Sequence, residues 1–277
     1  MVGGEPISTE KRILSRNPAN PEEIVGRVSS ANMGIVDKAL NCAYKAFESW
    51  SMLPAYERVK PFLRAAEIMR QKRFELDATM ILEVGKSWIE ADADLAEAID
   101  FLEFYSREAL RYYEPQPVVQ VPGEYNLLRY IPLGVGAVIP PWNFPCAIMV
   151  GMTTAAAVSG NCVLLKPASD SPVIAAKFVQ ILKEAGLPDG VVNFIPGSGG
   201  EIGDYIVENP AIRFVSFTGS KEVGLRINEL AARHHVGQKW IKRVVLEMGG
   251  KDCVVVDESA DLEAASNGAV ASAFGFQ

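Results

Sequence analysis

The sequence predicts an α/β protein whose centre is a doubly wound parallel sheet, preceded by an N-terminal helical region and an extended arm. Three observations predict it. Between positions 130 and 247 short apolar, strand-like runs alternate with single helix-like runs, an order that implies right-handed crossovers and helices on both faces of the sheet. The 36 residues from Tyr130 to Leu165 hold no Asp, Glu, Lys or Arg, as expected where strands are covered on both sides. From position 33 to 113 the apolar residues recur at helical spacing instead.

Taken in order, the first residues read as a mobile terminus, closed by the turn cluster Asn17-Pro18-Ala19-Asn20-Pro21 and followed by a short strand over 23–29. From position 33 to 113 three helical faces stand out. Ile35, Ala39, Cys42, Ala43, Ala46 and Phe47 form the first, and Phe62, Ala65, Ala66 and Met69 the second. Trp88, Leu95, Ala98, Ile99, Leu102 and Tyr105 form the third. The charged residues left over on these helices are expected on solvated faces. Residues 115–129 read as extended, with Val118, Val119 and Val121 before a Pro122-Gly123 turn.

An uncharged stretch of this length raises the question of a membrane span, for which about 20 apolar residues suffice. Pro132, Pro140, Pro141 and Pro145 break it and Asn143 and Asn161 bring amides, so it divides instead into strand 133–139, loop 140–145, helix 146–159 and strand 162–165. Helix 171–186, strand 191–195, a helix from 200, strand 214–217, a helix from 221 and strand 243–246 follow. This is a Rossmann-like, nucleotide-binding architecture. Trp142, Asn143 and Lys166 lie at strand ends, where open parallel sheets bind ligands. Gly197-Ser198-Gly199-Gly200-Glu201-Ile202-Gly203 follows a strand and opens a helix, so it reads either as a phosphate cradle or as an ordinary turn. Ile202 stands where the usual fingerprint has its third glycine.

Composition narrows the partners. A net charge of −7 gives no reason to expect nucleic acid or an anionic membrane. The first residues lack a basic region followed by an apolar one, so no secretory signal is expected and the default location is cytoplasmic. Cys42, Cys146, Cys162 and Cys253 are far apart and His234 and His235 are adjacent, so no metal site is expected and the thiols are read as reduced. Cys162 and Cys253, in apolar strand-like runs, read as core residues.

Four ordered motifs carry a resemblance. Pro141-Trp142-Asn143-Phe144-Pro145, Leu165-Lys166-Pro167-Ala168, Phe217-Thr218-Gly219-Ser220 and Leu246-Glu247-Met248-Gly249-Gly250-Lys251 resemble signatures of the aldehyde dehydrogenase superfamily. The resemblance covers nearly all of the chain and corresponds to about the first half of a typical member. It implies a helical part of the cofactor-binding domain over 1–114 and an oligomerisation arm over 115–129, for which an edge hairpin is the alternative. It further implies a cofactor-binding core over 130–247, the beginning of a catalytic domain over 248–277, and a homo-oligomer. NAD would lie against Ile139, Pro140, Pro141, Trp142 and Met248, with Gly199, Gly203 and Ser220 near its phosphates, Phe217 and Gly219 in neighbouring contacts and Val223 by the adenine. Lys166 would contact the adenosine ribose, or else be an ion at the sheet's mouth. Many NAD-preferring relatives carry glutamate where this chain has Ser169. A hydroxyl does not repel a 2′-phosphate, so NADP should be tolerated beside NAD.

The family's chemistry uses a cysteine thiolate, hydride transfer from the thiohemiacetal and hydrolysis of the thioester. Asn143 would donate to the developing oxyanion, a contact whose loss costs about 10²–10³ in rate at comparable sites; its alternative is a helix cap. Glu247 would be the general base, its pKa raised by partial burial, or else a solvated strand-end residue. The nucleophile is expected shortly past Gln277, because Val270-Ala271-Ser272-Ala273-Phe274-Gly275-Phe276-Gln277 resembles the segment before it. None of the four cysteines has that context, so the 277 residues alone are expected to lack dehydrogenase turnover. The segment from Gly85 to Ala91, Ile99-Asp100-Phe101, the insert 233–242 and the terminal Ala273-Phe274-Gly275-Phe276 are similar to 1-pyrroline-5-carboxylate dehydrogenases, which oxidise glutamate semialdehyde. Glu97 would then approach the substrate, or else face solvent. Succinate semialdehyde, betaine aldehyde and a non-catalytic nucleotide-binding or oligomerising module are the alternatives.

Overall fold

A computed structural model describes residues 1–275; Phe276 and Gln277, the end of the run expected before the nucleophile, lie outside the described residues. Arg12–Asn17 (β1) and Asn20–Ser29 (β2) form an antiparallel hairpin. The Ala19 N–H donates to the Asn17 side chain at 2.9 Å, the local bond that makes Asn-Pro sequences turn. The terminus expected to be mobile is instead docked. The Phe194 N–H donates to the Met1 carbonyl at 2.8 Å and the Gly3 N–H to the Asn193 side chain at 2.9 Å. Residues 1–3 thereby cover a strand edge that would otherwise present unpaired backbone groups.

The helical region comprises α1 (Met33–Trp50), α2 (Ala55–Arg58), α3 (Lys60–Gln71), α4 (Arg73–Val84) and α5 (Trp88–Tyr113). Asn32 caps α1, Gly85 in the left-handed region (φ 73°) ends α4, and Ser87 and Glu90 form a capping box at the start of α5. The second expected face is buried, as are Leu95, Ala98, Ile99 and Leu102 of the third. Trp88 departs from it, 81% exposed on the first turn of α5, where none of the described residues covers it. The expectation for the charged residues fails at five positions: Arg58, Asp77, Glu83, Lys86 and Asp94 are all buried. Several of their partners come from distant segments, while Arg58 also donates to the nearby Leu53 carbonyl and Lys86 pairs with Asp94. Glu83 accepts the N–H groups of Val173 and Ile174 at 2.7 and 2.9 Å. Arg58 donates to the Val158 carbonyl at 2.9 Å and lies over the Tyr113 ring.

Residues 115–129 form no strand, and their Pro122-Gly123 turn is held by Gln120 and Asn126 bonded to each other's backbone neighbourhood. The uncharged stretch then resolves into β3 (Val135–Ile139), α6 (Ala147–Val158) and β4 (Cys162–Leu165). Among the described residues no helix is long and apolar enough to cross a membrane. α7 (Pro172–Glu184), β5 (Val192–Phe194), a π-helical turn at Gly199–Gly203 leading into α8 (Asp204–Glu208), β6 (Phe214–Thr218), α9 (Lys221–Ala232) and β7 (Arg243–Glu247) complete the alternation. The sheet is parallel throughout, in the order β5-β4-β3-β6-β7. β3 is buried along its whole length, and a Cβ on Gly136 would strike the Phe214 ring of β6, so glycine permits that close approach. α5 packs on α6, and α3 and α4 on α7, forming a second layer over one side of the sheet.

β7 is an edge strand with exposed Val245. Beyond it, Val254, Val255 and Val256 are exposed and form no strand, and Cys253 is exposed rather than a core residue. Nothing among the described residues pairs with the outer edge of β7, so an apolar run there finds no ladder to join. The chain continues into α10 (Leu262–Phe274), which has no buried residue.

Candidate active site

The strand order reverses between β3 and β6: the chain moves outward from β3 through β4 to β5, then crosses back to β6 and β7. Crossovers on opposite faces cannot fill the space above that point, which leaves a crevice at the carboxyl ends of the strands. A cleft of about 1050 Å³ lies there. Ile139, Pro140, Pro141, Trp142 and Asn143 enter it from the end of β3, and Lys166 and Ala168 from β4. Gly199, Gly200 and Gly203 form another wall; Phe217, Gly219 and Ser220 come from the end of β6, Val223 from α9 and Met248 from the end of β7. Three of the residues singled out from sequence stand outside the wall. Ser169 is exposed on the turn beside Ala168, and Glu97 is exposed on α5. Glu247 is exposed at the end of β7, so the partial burial expected for it is absent: an edge strand covers its last residue on one side only.

The glycine turn explains its own spacing. Ile202, in place of a third fingerprint glycine, is fully buried, while a Cβ on Gly199 or Gly203 would meet nothing within 4 Å. The apolar side chain anchors the turn and the glycines leave its cleft side open. Ser220 caps α9, its hydroxyl accepting from the Val223 N–H at 3.3 Å. Lys166 is buried with its Nζ 3.3 Å from the Pro167 carbonyl, and burial pushes its pKa down to about 8. Asn143 is half-buried and does not cap α6. That task falls to Asp94, whose Oδ1 accepts the Ala147 N–H at 2.6 Å.

Asp204 and Arg226 also line the cleft, joined as an ion pair between α8 and α9. The sequence carried a signal for both: Asp204 follows Gly203, and Arg226 shares a helical face with Val223 and Ile227. The cysteines offer no nucleophile to the cleft wall. Cys146 and Cys162 are buried. Burial and the Asp94 carboxylate hold the Cys146 thiol well above its ordinary range, and burial pushes that of Cys162 up to about 12.

The model of the aldehyde dehydrogenase family matches residues 6–277. The chain belongs to this family. It is 58% identical over 276 residues to the 1-pyrroline-5-carboxylate dehydrogenases of Bacillus cytotoxicus and Bacillus mycoides, covering 100% of this chain and 54% of each relative. Among solved structures it is similar to 1-pyrroline-5-carboxylate dehydrogenase from Thermus with bound NAD, at a TM-score of 0.95 and 52% identity over 100% of this chain and 54% of that one. Proline utilization A (PutA) from Bdellovibrio bacteriovorus matches at a TM-score of 0.95 and 43% identity, over 99% of this chain and 29% of that one. The chain thus spans about half the length of the curated family members it matches.

Proposed function

We propose that these residues are the cofactor-binding part of an NAD-dependent dehydrogenase that oxidises L-glutamate γ-semialdehyde to glutamate. The observation that carries the reading is the cleft: all but one of the cofactor residues inferred from motif line a single concavity at the topological switch point. Its volume of about 1050 Å³ lies just above the roughly 300–1,000 Å³ usual for small-molecule sites. The open cleft side of Gly199 and Gly203 suits the close approach of a pyrophosphate. The 58% identity to 1-pyrroline-5-carboxylate dehydrogenases over the whole chain supports the choice of substrate.

A bound dinucleotide would supply the hydride acceptor. The residues of this chain would hold it: Gly199, Gly203 and Ser220 at the phosphates, Lys166 at the ribose, Val223 and Phe217 as apolar walls. Ser169, neutral and exposed beside that wall, would admit NADP as well. Asn143 would donate its side-chain N–H to the aldehyde oxygen as negative charge develops there. Glu247 would take a proton from the attacking water, and Glu97 would approach the substrate. Residues 130–247 would be the cofactor-binding core and 248–277 the start of the catalytic domain. The exposed residues of the arm over 115–129, Val119 and Tyr125 among them, suit pairing with a second copy. Since no cysteine here has a nucleophile's setting, the 277 residues alone would bind cofactor without oxidising aldehyde.

Calorimetric titration of the purified chain with NAD and NADP, followed by an assay for NADH formation with glutamate semialdehyde, tests the reading. Binding of both nucleotides without turnover is expected. Failure to bind NAD would sink the proposal, and turnover would overturn the assignment of the cysteines.

A further inference from the structure

The loop that carries Asn143 has little regular structure of its own. Pro140, Pro141 and Pro145 deny it backbone donors, and it joins no ladder. Two groups reach it, Lys86 from the loop just before α5 and Asp94 from the second turn of that helix. Asp94 receives the Ala147 N–H at 2.6 Å through Oδ1, and its Oδ2 is 3.3 Å from the Lys86 ammonium. Lys86 in turn sits 4.6 Å from the centroid of the Phe144 ring, within range of a cation–π contact. The side chains of the pair are 1% and 0% exposed.

A buried ion pair is a poor source of net stability, because the two charges lose their hydration and recover it only through good geometry. The best-attested use of such a pair is to fix a register. This pair touches the loop at Phe144 and Ala147, on either side of Pro145-Cys146 and immediately after Asn143. We propose that Lys86 and Asp94 are positioning residues for the Asn143 side chain, holding the loop at both points so that the amide faces the cleft. This rests on the role proposed above for Asn143. Neither residue lines the cleft, so neither would touch cofactor or substrate.

The four tryptophans make the test selective. In ¹⁵N-labelled chain the indole N–H of Trp142 reports on the loop. That of Trp50, which donates to the Ala157 carbonyl at 2.9 Å, reports on the far end of α6. Asp94→Ala and Lys86→Met should each shift or split the Trp142 signal and the Asn143 side-chain NH₂ signal, the latter identified by its loss in Asn143→Ala. The Trp50 signal should stay in place. Exchange of the Ala147 amide should quicken at least tenfold in Asp94→Ala and return toward the parent rate in Asp94→Asn, which keeps an acceptor oxygen. The double variant Lys86→Met/Asp94→Asn leaves no buried charge uncompensated and serves if a single variant fails to fold; it should keep Ala147 protected while Trp142 still moves. Unmoved Trp142 and Asn143 signals, or movement only together with Trp50, would overturn the proposal. Titration of the parent with NAD separates the two readings: absent binding sinks the proposed function, while the indole spectra still decide the anchoring.

Discussion

Replacing Ser169 with glutamate should turn the protein against NADP while sparing NAD. Ser169 is exposed on the turn after Lys166 and beside the cleft wall at Ala168, so a carboxylate there acts close to the dielectric of water. Two unit charges about 4 Å apart then interact by about 1 kcal/mol. A phosphate monoester carries about −1.5 to −2 at neutral pH, so the repulsion amounts to about 2 kcal/mol, or a roughly 30-fold loss of NADP affinity. The ribose hydroxyls of NAD would find an acceptor instead, so its affinity should hold or improve. Titrations of parent, Ser169→Glu and the neutral control Ser169→Gln at low and high salt read the effect directly. It should shrink as salt rises, since the screening length falls from about 10 Å at 0.1 M to about 3 Å at 1 M. Equal weakening of both nucleotides, or no weakening of NADP, would refute the placement of Ser169 beside the ribose.

Gly203→Ala should leave folding intact, because the added methyl meets no protein atom within 4 Å and the backbone is helical, yet lower NAD affinity at least tenfold by filling the cradle; thermal melting and titration together check this. Glu83→Ala strips acceptors from the Val173 and Ile174 N–H groups and a partner from the Ser15 hydroxyl. At about 1–3 kcal/mol for each of the three groups left unsatisfied, the loss should be at least about 3 kcal/mol in denaturant unfolding, and smaller for Glu83→Gln. Lys166, with its pKa pushed down to about 8, should be charged at pH 7 and largely neutral at pH 9. NADP affinity should therefore fall as pH rises across that window, and Lys166→Met should remove the dependence. Stability runs the opposite way. Between about 8 and the ordinary lysine value of about 10.4 the unfolded chain holds a proton that the native state has shed, so this residue raises stability with pH there. Buried Lys242, also pushed down to about 8, adds to the same slope.

The sequence by itself determined the alternation of strands and helices, the ends of the strands and therefore most of the cleft. Those features are local: prolines at 140 and 141 stop β3, Gly199 and Gly203 open the turn after β5, and a parallel sheet brings every strand's carboxyl end to one rim. The family motifs were legible for the same reason, each being a contiguous run at a strand end. What only the tertiary structure decided is which polar groups lie inside. Helical spacing separates two faces of one helix but does not say what covers the polar one. Glu83 is buried because the start of α7 needs acceptors, and Asp94 because the start of α6 does, across 90 and 53 residues of chain. Glu247, Glu97 and Cys253 are exposed for the converse reason: a residue's burial belongs to the segments folded against it, and none among the described residues closes over β7 or that face of α5.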